Sequence, residues 1–247
     1  MQARLRFKMK IIKNIVVNLI HWSGYDIYKI PKTDFSGLDK LNIKTIIDIG
    51  ANRGQFARRV FLIFPEAKIF CFEPVEEAFD GLKKWAESSG QGRVFVFNVA
   101  LGDKEEEKEM FLHLNHTDSS SMLQTTKSFE NDFHLAQNQK KIKVNQYTLD
   151  TALEKLVKKE LEKEVLVKMD VQGYEGLVIS GAKKILLKSK ACIIEIVNDE
   201  FYKGQPDFKK IFFLMDNFGF KYYGNLEQVI DHRDGHITYY DAIFIKK

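Results

Sequence analysis

The hydrophobic pattern of this chain alternates between two periods. Thr45-Ile46-Ile47-Asp48-Ile49 is short, β-branched and almost continuously apolar, the signature of a strand covered on both faces. From Gln55 to Phe64 the apolar residues Phe56, Val60, Ile63 and Phe64 recur at helical spacing, and Pro65 marks the helix end. Lys68-Ile69-Phe70-Cys71-Phe72 repeats the strand pattern. The spacing predicts strands near residues 44–49, 67–72 and 93–99, with helices near 54–64 and 76–88 between them. Such alternation implies a parallel sheet with right-handed crossovers.

The rhythm then breaks. Lys108 to Leu114 and Lys141 to Tyr147 read as extended, and between them lies a polar, serine-rich stretch near 115–140. A connection of that length in one domain is a functional lid or a loop without order of its own. Alternation resumes with a helix near 148–162, the strand VLVKM at 165–169, a helix near 174–188, the strand ACIIEIV at 191–197 and a helix near 207–218. The end, Phe220 to Lys247, reads as strands joined by DHRDGH, whose Asp234-Gly235 is a hairpin signal. The expected class is α/β and Rossmann-like: a mostly parallel sheet, an antiparallel closing strand and helices on both faces.

At 247 residues the chain accommodates one such domain with elaborations. We divide it into an N-terminal helical extension, 1–40, and a main domain, 41–247, carrying the loop insertion. The net charge of +4 is too modest and dispersed to imply nucleic acid. Cys71 and Cys192 lie inside strand patterns and are expected to be reduced core residues. The amino terminus is the anomaly: Arg4, Arg6, Lys8, Lys10 and Lys13 are basic, no acid precedes Asp26, and IIKNIVVNLI is apolar. Lys13, Asn14 and Asn18 interrupt what would be a secretory signal. No apolar run reaches the roughly 18 residues of a membrane span. The expected location is cytoplasmic. An amphipathic helix packed on the domain is the preferred reading of this segment; the alternative is peripheral contact of the basic helix with an anionic membrane.

The chemistry concentrates after the first strand. Gly50 and Gly54 form a strand-to-helix turn of the kind that lets a ligand approach backbone N–H groups. The dinucleotide pattern G-x-G-x-x-G is not met, because Asn52 stands at the second glycine position. Glu73 ends the second strand, placed to accept hydrogen bonds from both hydroxyls of a ribose; the competing assignment is a helix-start charge. Pro74 stops strand pairing and helps start the next helix. This spacing favours S-adenosylmethionine over a dinucleotide.

With these residues in view, the chain resembles the FkbM family of S-adenosylmethionine-dependent methyltransferases. The similarity runs from about Ile43 to Phe220 and rests on ordered motifs: DIGANRGQF, FEPVEEAFDGL, NVALGD, SSSM, VNQYTLD, KMDVQGYE, LVISGAKKIL and IIEI. Gly24-Tyr25-Asp26 is similar to the family's lead-in. The resemblance implies the class I methyltransferase fold, with seven strands and the last antiparallel. It implies that Asp48, Gly50, Asn52, Gly54 and Phe56 line the methionine and ribose end of the cofactor, with Glu73 and Pro74 at the ribose. Asn98, Val99 and Ala100 would flank the adenine. Ser120 and Ser121 would sit at the substrate opening with Gln172 and Gly173, and Lys168, Asp170 and Gly173 would face the transferred methyl group. The family often carries glutamate where Gln172 stands; an amide cannot act as a base and is a poor metal ligand, and no metal is expected.

Methyl transfer from a sulfonium is an in-line displacement, and an alcohol acceptor also needs a base. Asp170, paired with Lys168, is the first candidate base; the competing assignment is a structural ion pair ordering the turn. Glu175 and Glu195 are secondary candidates. His113, His116, His232 and His236 flank loops and are expected to be solvated, with a lid histidine as an alternative base. The leading function is O-methylation of a hydroxyl on a small molecule, sugar or glycan. The alternatives are N-methylation of a small molecule and a cofactor-binding module that has lost catalysis.

Overall fold

In the computed structural model, residues 35–158 and 161–246 are described. The expected N-terminal helix, its membrane contact and the Gly24-Tyr25-Asp26 motif lie outside them. Of the proposed 1–40 extension only the end is described, where Leu38–Lys40 forms a 3₁₀ turn and Phe35 and Leu38 enter the core.

Among the described residues, ten strands form two sheets. The first three strands are β1 (Thr45–Ile49), β2 (Lys68–Phe72) and β3 (Val94–Phe97), followed by β4 (Ala100–Gly102) and β5 (Glu106–His113). Next come β6 (Gln139–Thr148), β7 (Val165–Met169), β8 (Ser189–Val197), β9 (Lys221–Ile230) and β10 (Ile237–Ile245). The main sheet has the order β3-β2-β1-β7-β8-β10-β9. All pairs up to β8 are parallel, and β10 runs antiparallel between β8 and β9. This is the architecture expected from the sequence. A small sheet, β4-β6-β5, stands beside it.

Helices α1 (Gln55–Ile63) and α2 (Glu76–Ser89) cover one face of the main sheet. Because successive strand side chains point to opposite faces, Ile46, Ile69, Leu166 and Ile193 pack with Ala57, Val60 and Leu82 on that side. Their neighbours Ile47, Phe70, Val167 and Ile194 form the other core. That second core is closed by Val178, Ile185 and Ile211, which lie in helices introduced below. Cys71 and Cys192 are buried free thiols, as expected.

The serine-rich connection holds a short 3₁₀ turn (Thr117–Ser119) and α3 (Lys127–Asp132), capped by the Thr126 hydroxyl. Three expectations need correction. The third strand does not run to residue 99: it ends at Phe97, and the Asn98 amide donates to Glu73 O (2.9 Å) and Pro74 O (3.1 Å), turning the chain into β4. The helix expected at 148–162 is α4 (Leu149–Ala152), which widens into a π turn and stops at Val157 because Lys158 is left-handed. The helix expected at 174–188 is broken into α5 (Glu175–Ser180) and α6 (Lys183–Lys188). Gly181 lies at the break, where a Cβ would come within 1.9 Å of Gly102 O, so β4 passes too close for any side chain. Helix α7 (Phe208–Asn217) precedes the terminal hairpin.

Candidate functional site

At the point where strand order reverses, between β1 and β7, the carboxyl ends of the strands open into a cavity of about 790 Å³. The turn after β1 forms its floor. Gly50 and Ala51 N–H both donate to Phe72 O, and the Gly50 φ of +76° brings its backbone against Asp170 O, where a Cβ would lie at 1.8 Å. Gly50 therefore serves contact between two turns, as well as access to the cavity.

Glu73 is 5% exposed and lines this cavity. Its Oε2 accepts from Asn52 N–H (2.7 Å) and its Oε1 from Val75 N–H (2.8 Å). It thus ties the glycine turn to the start of α2, as the helix-start assignment expects, and does so from the cavity wall. Burial pushes its carboxyl up to about 7, the two N–H donors notwithstanding. Asp48, 1% exposed, is likewise raised to about 7 by burial, with Lys168 opposing and Asp170 and Asp241 reinforcing. Among the described residues, its Oδ2 has no hydrogen-bond partner, nor has Asn52 Oδ1. Both residues line the cavity. Buried acceptors without donors are costly unless a ligand or water supplies them.

The register of the sheet assembles the charged wall. Asp48 stands opposite Lys168 across β1 and β7, and Asp241 stands opposite Glu195 across β10 and β8. Lys168 Nζ contacts Asp170 Oδ2 at 2.8 Å and Asp241 Oδ1 at 3.9 Å, and lies 5.5 Å from the centre of the Phe56 ring. Burial alone would lower the Lys168 ammonium, but Asp170, Asp241 and Asp48 together hold it above its ordinary value. Burial would raise Asp170, yet Lys168 and hydrogen bonds from its neighbours keep it below the usual carboxylate range. Gln172 Nε2 lies 2.9 Å from Asp170 Oδ1 and 2.6 Å from Glu195 Oε2. Glu175, by contrast, is turned away: its Oε1 accepts from Val171 and Gly173 N–H, securing the turn, and burial raises it to about 7.

The cavity brings together Asp48, Gly50, Asn52, Phe56, Glu73, Pro74, Val99, Ala100, Ser120, Lys168, Asp170 and Gln172. Four expected site residues sit behind its wall. Asn98 braces the Glu73-Pro74 turn, and Gly54 faces Leu82. Ser121 donates from Oγ to Gln172 O at 2.6 Å. Gly173, with φ +90°, packs against Tyr202 and Gln205.

The histidine expectation is corrected at His113. His113 is buried, with Nδ1 2.6 Å from Ser119 Oγ, and burial pushes it down to about 4. It is a neutral anchor for the serine segment. His236 is bridged to Asp199 (3.0 Å) and Asp234 (2.6 Å), hydrogen bonds that raise it to about 9. Asp231, Asp234 and His236 lie close enough to share a metal, but both His236 nitrogens are engaged and the Arg233 guanidinium sits on Asp231 at 2.6 Å. His232 is exposed, as expected, while His116 lines the cavity.

Sequence reasoning missed Asp118, Tyr202 and an aromatic wall. Asp118 accepts from the Asn52 amide, and the Tyr202 hydroxyl lies 2.8 Å from both Ser119 O and Gln172 Oε1. Phe129 stacks on Phe201 at 4.3 Å and on Phe133 at 5.6 Å, and all three line the cavity. The clustered aromatics of SFENDF and EFY were the only available signal.

A family model described as the methyltransferase FkbM domain matches residues 48–222. The 2-O-methyltransferase NoeI of Sinorhizobium fredii is 30% identical over 181 residues, covering 70% of this chain and 71% of that protein. Among solved structures, a methyltransferase FkbM from Methylobacillus flagellatus aligns with a TM-score of 0.51 at 11% identity. It covers 83% of this chain, which spans 44% of that one. A putative methyltransferase from Streptococcus mutans in complex with SAH aligns at 0.47 and 11% identity, over 90% of this chain and 100% of that one. No helix among the described residues is long and apolar enough to cross a membrane.

Proposed function

Because this chain belongs to the FkbM family of methyltransferases, we propose that its cavity binds S-adenosylmethionine and that it methylates a hydroxyl of a small molecule, sugar or glycan. The observation that carries this reading is the convergence, on one cavity, of the Gly50–Asn52 turn, the Glu73 carboxylate and the two orphaned acceptors of Asp48 and Asn52. Those acceptors fit a ligand rich in donors, with paired hydroxyls and an ammonium group. Bound there, S-adenosylmethionine supplies a methyl group on a positively charged sulfur.

Glu73, held by two backbone N–H groups, would present its remaining lone pairs to the ribose hydroxyls. Val99 and Ala100 would give the adenine an apolar wall. Asp48 and Asn52 would take the methionine end, and the Lys168–Asp170 pair would face the methyl group as a fixed dipole. Fixed charges in a water-poor cavity stabilise developing charge without reorganising. The Phe129–Phe133–Phe201 wall and Ser120 border the remaining space, where an acceptor ring would lie. The hydroxyl acceptor is supported by the NoeI relative, a 2-O-methyltransferase. The reading assigns 41–247 to the transferase domain, and the chemistry to a site open to small acceptors.

Titration calorimetry with S-adenosylmethionine and S-adenosylhomocysteine tests it. Both should bind, and Glu73→Ala should weaken both by about 100-fold, the loss of roughly 2.7 kcal/mol. No binding by the wild-type protein, or unchanged affinity in the folded variant, would refute the site.

A further inference from the structure

We propose that Glu195 takes the proton from the acceptor hydroxyl, held in place by Gln172, while Asp170 remains the ionised partner of Lys168. The assignment rests on the methyl-transfer reading above. Asp170, the residue expected as base, has both oxygens occupied, Oδ2 by the Lys168 ammonium and Oδ1 by the Gln172 amide. A carboxylate so engaged is stabilised as the anion and is a weak proton acceptor. Glu195 lies beside it on β8 and lines the same cavity. It accepts from Gln172 at Oε2, and among the described residues no ion pair includes it.

Gln172 is built as the clamp. Its φ of +55° is a left-handed conformation that non-glycine residues rarely adopt. Its amide nitrogen spans the two carboxylates, its Oε1 meets the Tyr202 hydroxyl, and its carbonyl accepts from Ser121. A neutral bridging donor can hold two acids at hydrogen-bonding distance; a glutamate here would add a third acid between them. Gln172 is therefore a positioning residue.

The groups facing Glu195 are Lys168 on β7, Asp170 in the turn after it, Glu175 on α5, Tyr202 after β8, and Tyr239 and Asp241 on β10. Burial first, then Asp170, pushes the Glu195 carboxyl well above its ordinary range, and Lys168 opposes this. A sulfonium in the cavity adds a second opposing charge and favours its ionised form. The step balances simply: the acceptor oxygen bonds to the methyl carbon as the carbon–sulfur bond breaks. The electron pair stays on sulfur, now a neutral thioether, and the hydroxyl proton passes to Glu195.

The test compares wild type with Glu195→Gln and Glu195→Asp by calorimetry at pH 8, in buffers of different ionisation enthalpy. Asp48 and Glu73, near 7, are largely ionised there. Wild type should show a larger proton release on binding S-adenosylmethionine than on binding S-adenosylhomocysteine. Glu195→Gln should bind within about threefold of wild type yet lose that difference, and Glu195→Asp should keep it. With a mixture of hexose, 6-deoxyhexose and N-acetylhexosamine methyl glycosides as acceptor probe, Glu195→Gln should lose about 100-fold or more in kcat. Gln172→Ala should lower kcat and shift the acid limb of the pH profile, leaving KM for S-adenosylmethionine unchanged. Wild-type proton release or wild-type turnover in Glu195→Gln overturns the assignment alone. A wild-type protein that binds no S-adenosylmethionine overturns the methyl-transfer reading as well.

Discussion

Glu73→Gln should change how the stability of this protein depends on pH, in a direction set by burial. The carboxyl ionises at about 7 in the folded protein against a reference of 4.5, because burial outweighs the two N–H donors. Between those values the folded chain binds more protons than the unfolded chain, so Glu73 makes stability fall as pH rises through the window. The gap of about 2.5 pH units, at ~1.4 kcal/mol each, amounts to about 3 kcal/mol. Glutamine does not titrate, so the wild-type advantage over the variant should shrink by about 3 kcal/mol between pH 4.5 and 7.5. A pH-independent cost of about 1–3 kcal/mol should accompany it, because the amide can accept only one of the Asn52 and Val75 N–H groups at its oxygen. Urea denaturation of both proteins at half-unit pH steps measures the difference directly. Parallel stability curves across the window would refute the claim that Glu73 is desolvated.

His113 should act in the opposite sense: lowered by burial from 6.5 to about 4, it contributes stability that is lost as pH falls through that range. His113→Asn should flatten the acid side of the denaturation profile, and an unchanged slope there would contradict its burial as a neutral ring. Gly50→Ala should cost more than about 3 kcal/mol in chemical denaturation, since the added Cβ meets Asp170 O at 1.8 Å with φ at +76°; a midpoint near wild type would show that the two turns do not touch. Lys168→Met should destabilise by about 3–5 kcal/mol at pH 7, leaving Asp48, Asp170 and Asp241 without their cation, and should recover as pH drops and the acids protonate; a pH-independent loss would argue against the charge cluster. Tyr202→Phe removes the hydroxyl between Ser119 and Gln172 and should cost about 1–2 kcal/mol in the same assay, with no effect counting against the clamp.

Much of this molecule is written locally. The β-branched runs at 45–49 and 165–169 became strands at those bounds, because a strand buried on both faces needs only uninterrupted apolar residues. Pro65, Pro74 and Asp234-Gly235 marked real ends and turns for equally local reasons. Less visible were elements whose limits depend on a distant neighbour. The break at Gly181 comes from the approach of β4, and the end of β3 at Phe97 comes from the Asn98 amide reaching back to the Glu73 turn. His113 looked like a loop residue because its burial depends on the folding of the serine segment over it.

The sequence by itself determined the α/β architecture, the family and the two turns that carry Gly50 and Glu73, since each depends on residue types at short spacing. Only the tertiary structure decided how charge is shared among Asp48, Lys168, Asp170, Glu195 and Asp241. Their side chains come from four strands distant in sequence and from the turn after β7, and sheet register sets the distances between the strands. Whether an acid is ionised depends on those distances and on its burial, quantities that no run of neighbouring residues encodes.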